Sequence, residues 1–171
     1  DWRNSYHTVN RNNTHTLNMD VRVNLGKTCN LLFKAPVRFR HASISDVRNG
    51  MSGRLSRNLA SVEPAVSFGC CEIEPGKTKM YSVSCTTSTS MPALSNMLSI
   101  IDDSNPLVVQ LGNDKLKNTH SYNLRAWYYH TQSHRQKTLS GKAEWRVDRH
   151  SVGQAMTYDR TTGISTFKPR N

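Results

Sequence analysis

Between Leu17 and Leu25 the chain alternates without a break: Leu17, Met19, Val21, Val23 and Leu25 are apolar, and Asn18, Asp20, Arg22 and Asn24 between them are polar. Successive side chains of a strand point to opposite faces, whereas a helix would scatter these five around its circumference. The segment is therefore a strand with one face for burial and one for water. Gly26 and Lys27 end it, and Cys29 follows just beyond, placed to staple the strand's end to a neighbour.

Further short runs read as strands: Val37 to Ile44, Lys79 to Cys85, Leu107 to Leu111, Ser121 to Thr131 and Lys142 to Arg149. Between them lie Arg48-Asn49-Gly50, Glu74-Pro75-Gly76-Lys77 and Gly112-Asn113-Asp114, whose Gly, Pro, Asn and Asp residues favour turns. Only Met91 to Ile101 carries a helical pattern, and it is Ser-rich. Repeated short strands with turns between them predict an all-β fold, a sandwich or barrel. A length of 171 residues suits one domain with a core of its own, and a hydrophobic fraction of 36% favours a thin two-layer architecture. Residues 17–150 form the expected β-sandwich domain. Residues 1–16, Asn-rich and poor in apolar side chains, are expected to form an N-terminal arm. Residues 151–171 carry a short apolar set (Met156, Tyr158, Ile164, Phe167) that suits an edge strand or a tail.

Lys and Arg total 23 against 12 Asp and Glu, a formal net charge of +11. From Lys115 to the end there are 11 basic against 3 acidic residues, a net +8, whereas the first 114 residues carry 12 against 9, a net +3. Such a balance attracts acidic partners: an acidic glycan, an acidic protein surface or nucleic acid. The C-terminal third is expected to supply most of any positive face.

Four cysteines (Cys29, Cys70, Cys71, Cys85) include no CxxC pair and no His at zinc-finger spacing, so disulfides are expected and a metal site is not. Adjacent cysteines such as Cys70 and Cys71 seldom bond each other, so each points to a different partner or one stays free. The even count suits an exported chain, and an Asp at position 1 where Met would open a chain suggests a processed or trimmed N-terminus. The expected location is extracellular or on the cell surface, with a virion as the alternative. No stretch approaches the roughly 20 apolar residues of a membrane span, so no membrane insertion is expected.

Seven histidines raise an enzyme reading. His41-Ala42-Ser43 resembles half of a two-histidine phosphoesterase pattern, which needs two copies of His-x-Thr/Ser on facing strands, and a second copy is lacking. No glycine-rich phosphate loop, nucleophile elbow or HExxH motif occurs. The chain reads as a binding or assembly protein with no catalytic residues and no cofactor. A secreted enzyme acting on phosphodiesters is the weakest of three readings.

The strongest positive feature is Tyr122-Asn123-Leu124-Arg125-Ala126-Trp127-Tyr128-Tyr129. At period two, Tyr122, Leu124, Ala126 and Tyr128 share a core face, while Arg125, Trp127 and Tyr129 share a basic-aromatic outer face suited to stacking on sugars or bases. The basic loop that follows holds Arg135 and Lys137, and Arg146 and Arg149 lie beyond it. These seven residues make the candidate polyanion-binding patch.

Three segments resemble the immunoglobulin-like pilin and adhesin subunits of bacterial chaperone-usher fimbriae. They are the alternating strand running into Cys29, the strand Lys79-Met80-Tyr81-Ser82-Val83-Ser84-Cys85, and Leu124-Arg125-Ala126-Trp127-Tyr128-Tyr129-His130-Thr131 followed by Ala143-Glu144-Trp145-Arg146-Val147. The resemblance implies an immunoglobulin-like β-sandwich stapled by disulfide, with Cys29 bonded to Cys85, Cys70 or Cys71. It also implies a structural, adhesive subunit that polymerises by strand addition, with the N-terminal arm as donor. The rival reading is a small jelly-roll viral coat protein packaging nucleic acid.

Overall fold

A computed structural model describes residues 6–48, 51–98, 102–105 and 107–171. In chain order the strands are β1 (Tyr6–Leu17), β2 (Asp20–Leu25), β3 (Cys29–Lys34), β4 (Val37–Arg48), β5 (Met51–Val62), β6 (Ala65–Glu74) and β7 (Lys77–Ser90). After the one-turn helix α1 (Leu94–Met97) come β8 (Asp102–Asn105), β9 (Val108–Gln110), β10 (Thr119–Gln132), β11 (Lys137–Arg149), β12 (Gly153–Tyr158) and β13 (Ser165–Arg170). They form a three-stranded sheet β1-β4-β5, a six-stranded sheet β11-β10-β7-β6-β3-β2 and a four-stranded sheet β12-β13-β9-β8. The fold is all-β and sandwich-like, with stacked sheets and one disulfide, as the alternation predicts. Among the described residues the pairings are antiparallel except that of β13 with β9.

The first two sheets are one ribbon bent along a crease. The register that joins Leu17 to Val37 across β1 and β4 runs on unshifted to join Asp20 to Lys34 across β2 and β3. Val37–Val62 and Lys34–Ala65 are likewise one register across β4–β5 and β3–β6. Backbone bonds carry the ladder through the bend: Ala35 N donates to Met19 O (2.9 Å), Glu63 N to Pro36 O (3.0 Å) and Thr87 N to Pro64 O (3.1 Å). Pro36 and Pro64 have no N–H to give, and the crease is where the ladder tolerates that loss.

Glu63 pins the crease. Its carboxylate is 3% exposed and accepts from Arg40 (2.6 Å), Arg38 (2.7 Å), the Ser61 hydroxyl (3.2 Å) and the Thr89 backbone N–H (3.2 Å). Arg40 also donates to the Thr89 carbonyl, so the ion pair ties β4, β5 and β7 together. A buried carboxylate is tolerated only when it is paired and hydrogen-bonded in this way.

The buried core lies where the three-stranded sheet stacks, across α1, on the four-stranded one. Ala42 and Ile44 of β4 meet Leu94 and Met97 of α1 and Leu116, with Leu55, Met91, Leu98 and Val152 packed around them. Arg57 donates to the Leu116 carbonyl (2.8 Å), Leu111 N to Phe167 O (2.9 Å) and Asn113 N to Asn96 O (2.9 Å). Asp46, buried on the same face, accepts from the Thr8 hydroxyl.

Two hairpin turns use glycines in the left-handed region. Gly26 (φ 73°) reverses β2 into β3, and Gly76 (φ 74°) reverses β6 into β7. A Cβ at Gly76 would also strike the His134 ring, because the β10–β11 connection lies against this turn through Ser133 N to Gly76 O (2.9 Å).

Several expectations change. Residues 1–16 are not a free arm: from Tyr6 onward they are β1, paired with β4 along its whole length, and residues 1–5 lie outside the described residues. The 151–171 segment is two strands, β12 at the edge and β13 inside the sheet. The helical pattern of Met91 to Ile101 survives among the described residues as α1, because Pro92 and the Ser-rich flanks give little to propagate; residues 99–101 lie outside the described residues, as do Asn49 and Gly50 of the first predicted turn. The disulfide is Cys29–Cys70, directly across β3 and β6, while Cys71 and Cys85 are free thiols. Cys71 faces the other side of the sheet from Cys70, and Cys85 lies beyond reach of Cys29, two strands away on β7 with β6 between them.

Candidate polyanion-binding face

The six-stranded sheet shows two chemically opposite faces, and strand parity alone assigns them. On one, the rung Val21–Phe33–Val66–Cys85–Leu124–Trp145 runs the full width, followed by Val23–Leu31–Phe68–Val83–Ala126–Ala143. On the other, the rung Arg22–Leu32–Ser67–Ser84–Arg125–Glu144 is followed by Asn24–Asn30–Gly69–Ser82–Trp127–Lys142. The split of Tyr122, Leu124, Ala126 and Tyr128 from Arg125, Trp127 and Tyr129 is the one read from the sequence. The first set, expected to face a core, lies instead on a face that nothing among the described residues covers.

The polar face gathers Arg125, Lys142 and Arg146 from the last third of the chain with Arg22 and Lys34 from β2 and β3. Its carboxylates are threaded between the cations. Glu144 accepts from Arg125 (2.9 Å) and Asn123 (3.0 Å), and Lys142 lies 3.6 Å away; Arg146 holds Asp148 (3.0 Å), and Lys34 lies 3.7 Å from Asp20. Arg22 has no carboxylate partner among the described residues. Trp127 and Tyr129, two residues apart on β10, stack at 6.2 Å between centroids with 10° between planes, and Trp127 is 40% exposed. The alternation fixes this pair, since both rings emerge on the same side of a straight strand.

Hydrogen bonds from Arg125 and then Asn123 hold the Glu144 carboxyl down to about 2, and the same contact raises the Arg125 guanidinium. The Ser121 hydroxyl and Arg146 depress Asp148, and the Thr161 backbone N–H with the Thr162 hydroxyl depresses Asp159. A depressed carboxylate adds stability that is complete above its unfolded value and is lost as pH falls through the folded one. For Glu144 that window runs from 4.5 down to about 2. Protonation of Glu144 in the folded chain also leaves Arg125 and Lys142 unopposed, so affinity for a sulfated or phosphodiester polyanion should rise as pH falls toward about 2. Glu144→Gln should reproduce that gain at neutral pH, with the slope of log affinity against log salt steeper by about one unit or less. Unchanged affinity in Glu144→Gln by fluorescence titration would separate this carboxylate from the binding face.

No protein-family model, curated protein or solved structure matches this chain. The face is therefore read from its own chemistry.

Of the seven residues expected to form one patch, Arg125, Trp127, Tyr129 and Arg146 come together. Lys137 and Arg149 have the parity of Trp145 and lie at opposite ends of the apolar face, and Arg135 sits on the 3-10 turn Ser133–Arg135 at the tip of the β10–β11 connection. The sequence reading missed Arg22, Lys34 and Lys142. Lys142 was legible, sharing parity with Arg146. Arg22 and Lys34 reach the face only through the pairing order of six strands, which no local pattern encodes. His41, the anchor of the phosphoesterase reading, holds the Asn58 side chain (2.6 Å) across β4 and β5 on an open sheet face.

Proposed function

We propose that this chain is a structural subunit that joins neighbours through its open sheet edges and holds a polyanion against the polar face of the six-stranded sheet. The observation that carries the reading is that face: Arg22, Lys34, Arg125, Lys142 and Arg146 spread around a stacked aromatic pair on a chain of net charge +11. A flat lattice of cations and Ser, Asn and Gly backbone suits an extended chain of charges better than a small substrate, so the role is binding and assembly, not catalysis. Strand addition has an available edge in β11, thirteen residues long and exposed at every position but Val147. The Cys29–Cys70 bond suits an exported, surface-displayed adhesive subunit of the pilin kind, for which the polyanion is an acidic glycan or acidic protein surface. Among the described residues no helix is long and apolar enough to cross a membrane.

The Trp127–Tyr129 stack favours a second reading, a coat subunit holding nucleic acid, because unpaired bases stack on exposed aromatic rings and sulfated sugars do so less. Titrating a heparin-like polyanion and a single-stranded oligonucleotide at rising salt tests both. Binding to one of them that weakens with salt is expected. No binding at low salt, or binding indifferent to salt, would remove the reading. Trp127→Ala should cost the oligonucleotide about 1–3 kcal/mol, roughly 5- to 150-fold, while leaving heparin binding within about twofold. Equal losses on both ligands would rule out base stacking.

A further inference from the structure

We infer that the apolar face of the six-stranded sheet is the docking surface for a second copy of this chain, packed sheet on sheet. The face is uncovered and large: Val21 is 60%, Phe33 43%, Leu124 43% and Trp145 61% exposed, although they belong to one unbroken rung. Parity carries the same side across the crease, where the rung Leu17–Val37–Val62 and then Phe39 extend it onto the three-stranded sheet. Six strands about 4.8 Å apart and three rungs about 6.8 Å apart make roughly 600 Å² of flat face, and two further three-strand rungs bring it to about 800 Å². That matches the roughly 800 Å² per partner of a standard stable interface and exceeds the roughly 300–600 Å² of the largest apolar patch on a typical monomer.

Charge selects the occupant. At +11 two copies repel unless they meet where neither carries charge, and the cations Arg22, Arg125, Lys142 and Arg146 all point to the opposite side. The charges on this side lie at its rims and not at its centre: at the hairpin end Glu72 and Glu74 stand beside Lys77, Lys79 and Lys137, and Arg149 is at the opposite end, so a two-fold pairing of identical rims meets attraction as well as repulsion. An acidic partner would gain nothing from the neutral centre. The docked pair completes a second sandwich layer and leaves both polar faces outward, free for a polyanion.

Two free thiols report on the face without any substitution. Cys85 is exposed on the apolar face, and Cys71, half-buried, is on the polar one. In a single copy Cys85 is the more accessible. In the docked pair it is enclosed, so a bulky maleimide should modify Cys71 at least about tenfold faster, and sedimentation should give twice the 19.4 kDa chain mass. Val83→Lys, at the centre of the face, should return the mass to a single copy and reverse the labelling order, whereas Ser84→Lys, its neighbour on the polar face, should do neither. A single-copy mass with Cys85 labelled at least as fast as Cys71 would overturn the inference. So would a dimer that survives Val83→Lys, which points to pairing at the edges, or a single copy that floats with uncharged phospholipid vesicles. The docked pair persists at high salt, where polyanion binding is lost, so the two assignments fail separately.

Discussion

Glu63→Ala should cost the fold about 3–5 kcal/mol, the range for removing one partner of a buried ion pair and leaving the other unmatched. The loss concentrates at one carboxylate because four donors converge on it: Arg38, Arg40, Ser61 and the Thr89 N–H. Arg40 is only 17% exposed, so its guanidinium cannot turn to water without opening the crease between β4 and β7. The urea midpoint should fall by roughly 1–3 M at an ordinary slope for a chain of this size. Glu63→Gln keeps an acceptor oxygen and should cost less, which separates charge from hydrogen bonding. A change under about 1 kcal/mol in Glu63→Ala would mean that the crease is held by its backbone ladder and not by this carboxylate.

Removing the Cys29–Cys70 bond is the second large effect. The bond closes a loop with a sequence separation of 41, and the chain-entropy relation then assigns it about 4 kcal/mol of stabilisation. That loop contains both strands β4 and β5, so cutting it frees the whole three-stranded sheet's main hairpin in the unfolded chain. Replacing both cysteines with serine should lower the unfolding free energy by about that amount, and reduction of the native chain should give the same shift. Agreement of the two within about 1 kcal/mol is expected, because Cys71 and Cys85 carry no bond to lose. A reduced chain as stable as the oxidised one would show that the cross-strand ladder of β3 and β6 suffices.

The strands themselves were legible because period two is a local signal. Parity told correctly which side chains share a face in Leu17 to Leu25 and Tyr122 to Tyr129, and the Pro75-Gly76 turn gave a hairpin. Leu17 to Leu25 is, however, divided between the end of β1 and β2, and its apolar set, expected to be buried, is exposed at all five positions. What parity does not carry is which face finds a partner. The apolar side of Tyr122, Leu124 and Tyr128 reads as core in any one strand, yet the buried cluster formed on β4, where Ala42 and Ile44 look unremarkable in sequence beside Phe39 and Val47. The patch of basic residues was half legible for the same reason. Arg125, Trp127, Tyr129 and Arg146 share a parity across one hairpin, while Arg22 arrives from the far edge of the sheet after four intervening strands. The arm was misread because Asn and Thr, poor in burial, still serve well as a ladder partner for β4, while the apolar contacts of α1 are made with β4 and with Leu55 of β5.

The unbroken register through the crease means that odd and even positions keep their meaning from Leu17 to Leu25 and from Phe33 to Val47. Inserting a single residue at Ala35 or Pro36 would therefore roll β4 over, bringing His41 and Ser43 inward and sending Ala42, Ile44 and Asp46 to water, while β3 stayed as it was. One bend divides the ribbon in space and leaves it undivided in bookkeeping: the molecule tolerates substitutions along its length far better than changes in spacing at the fold line.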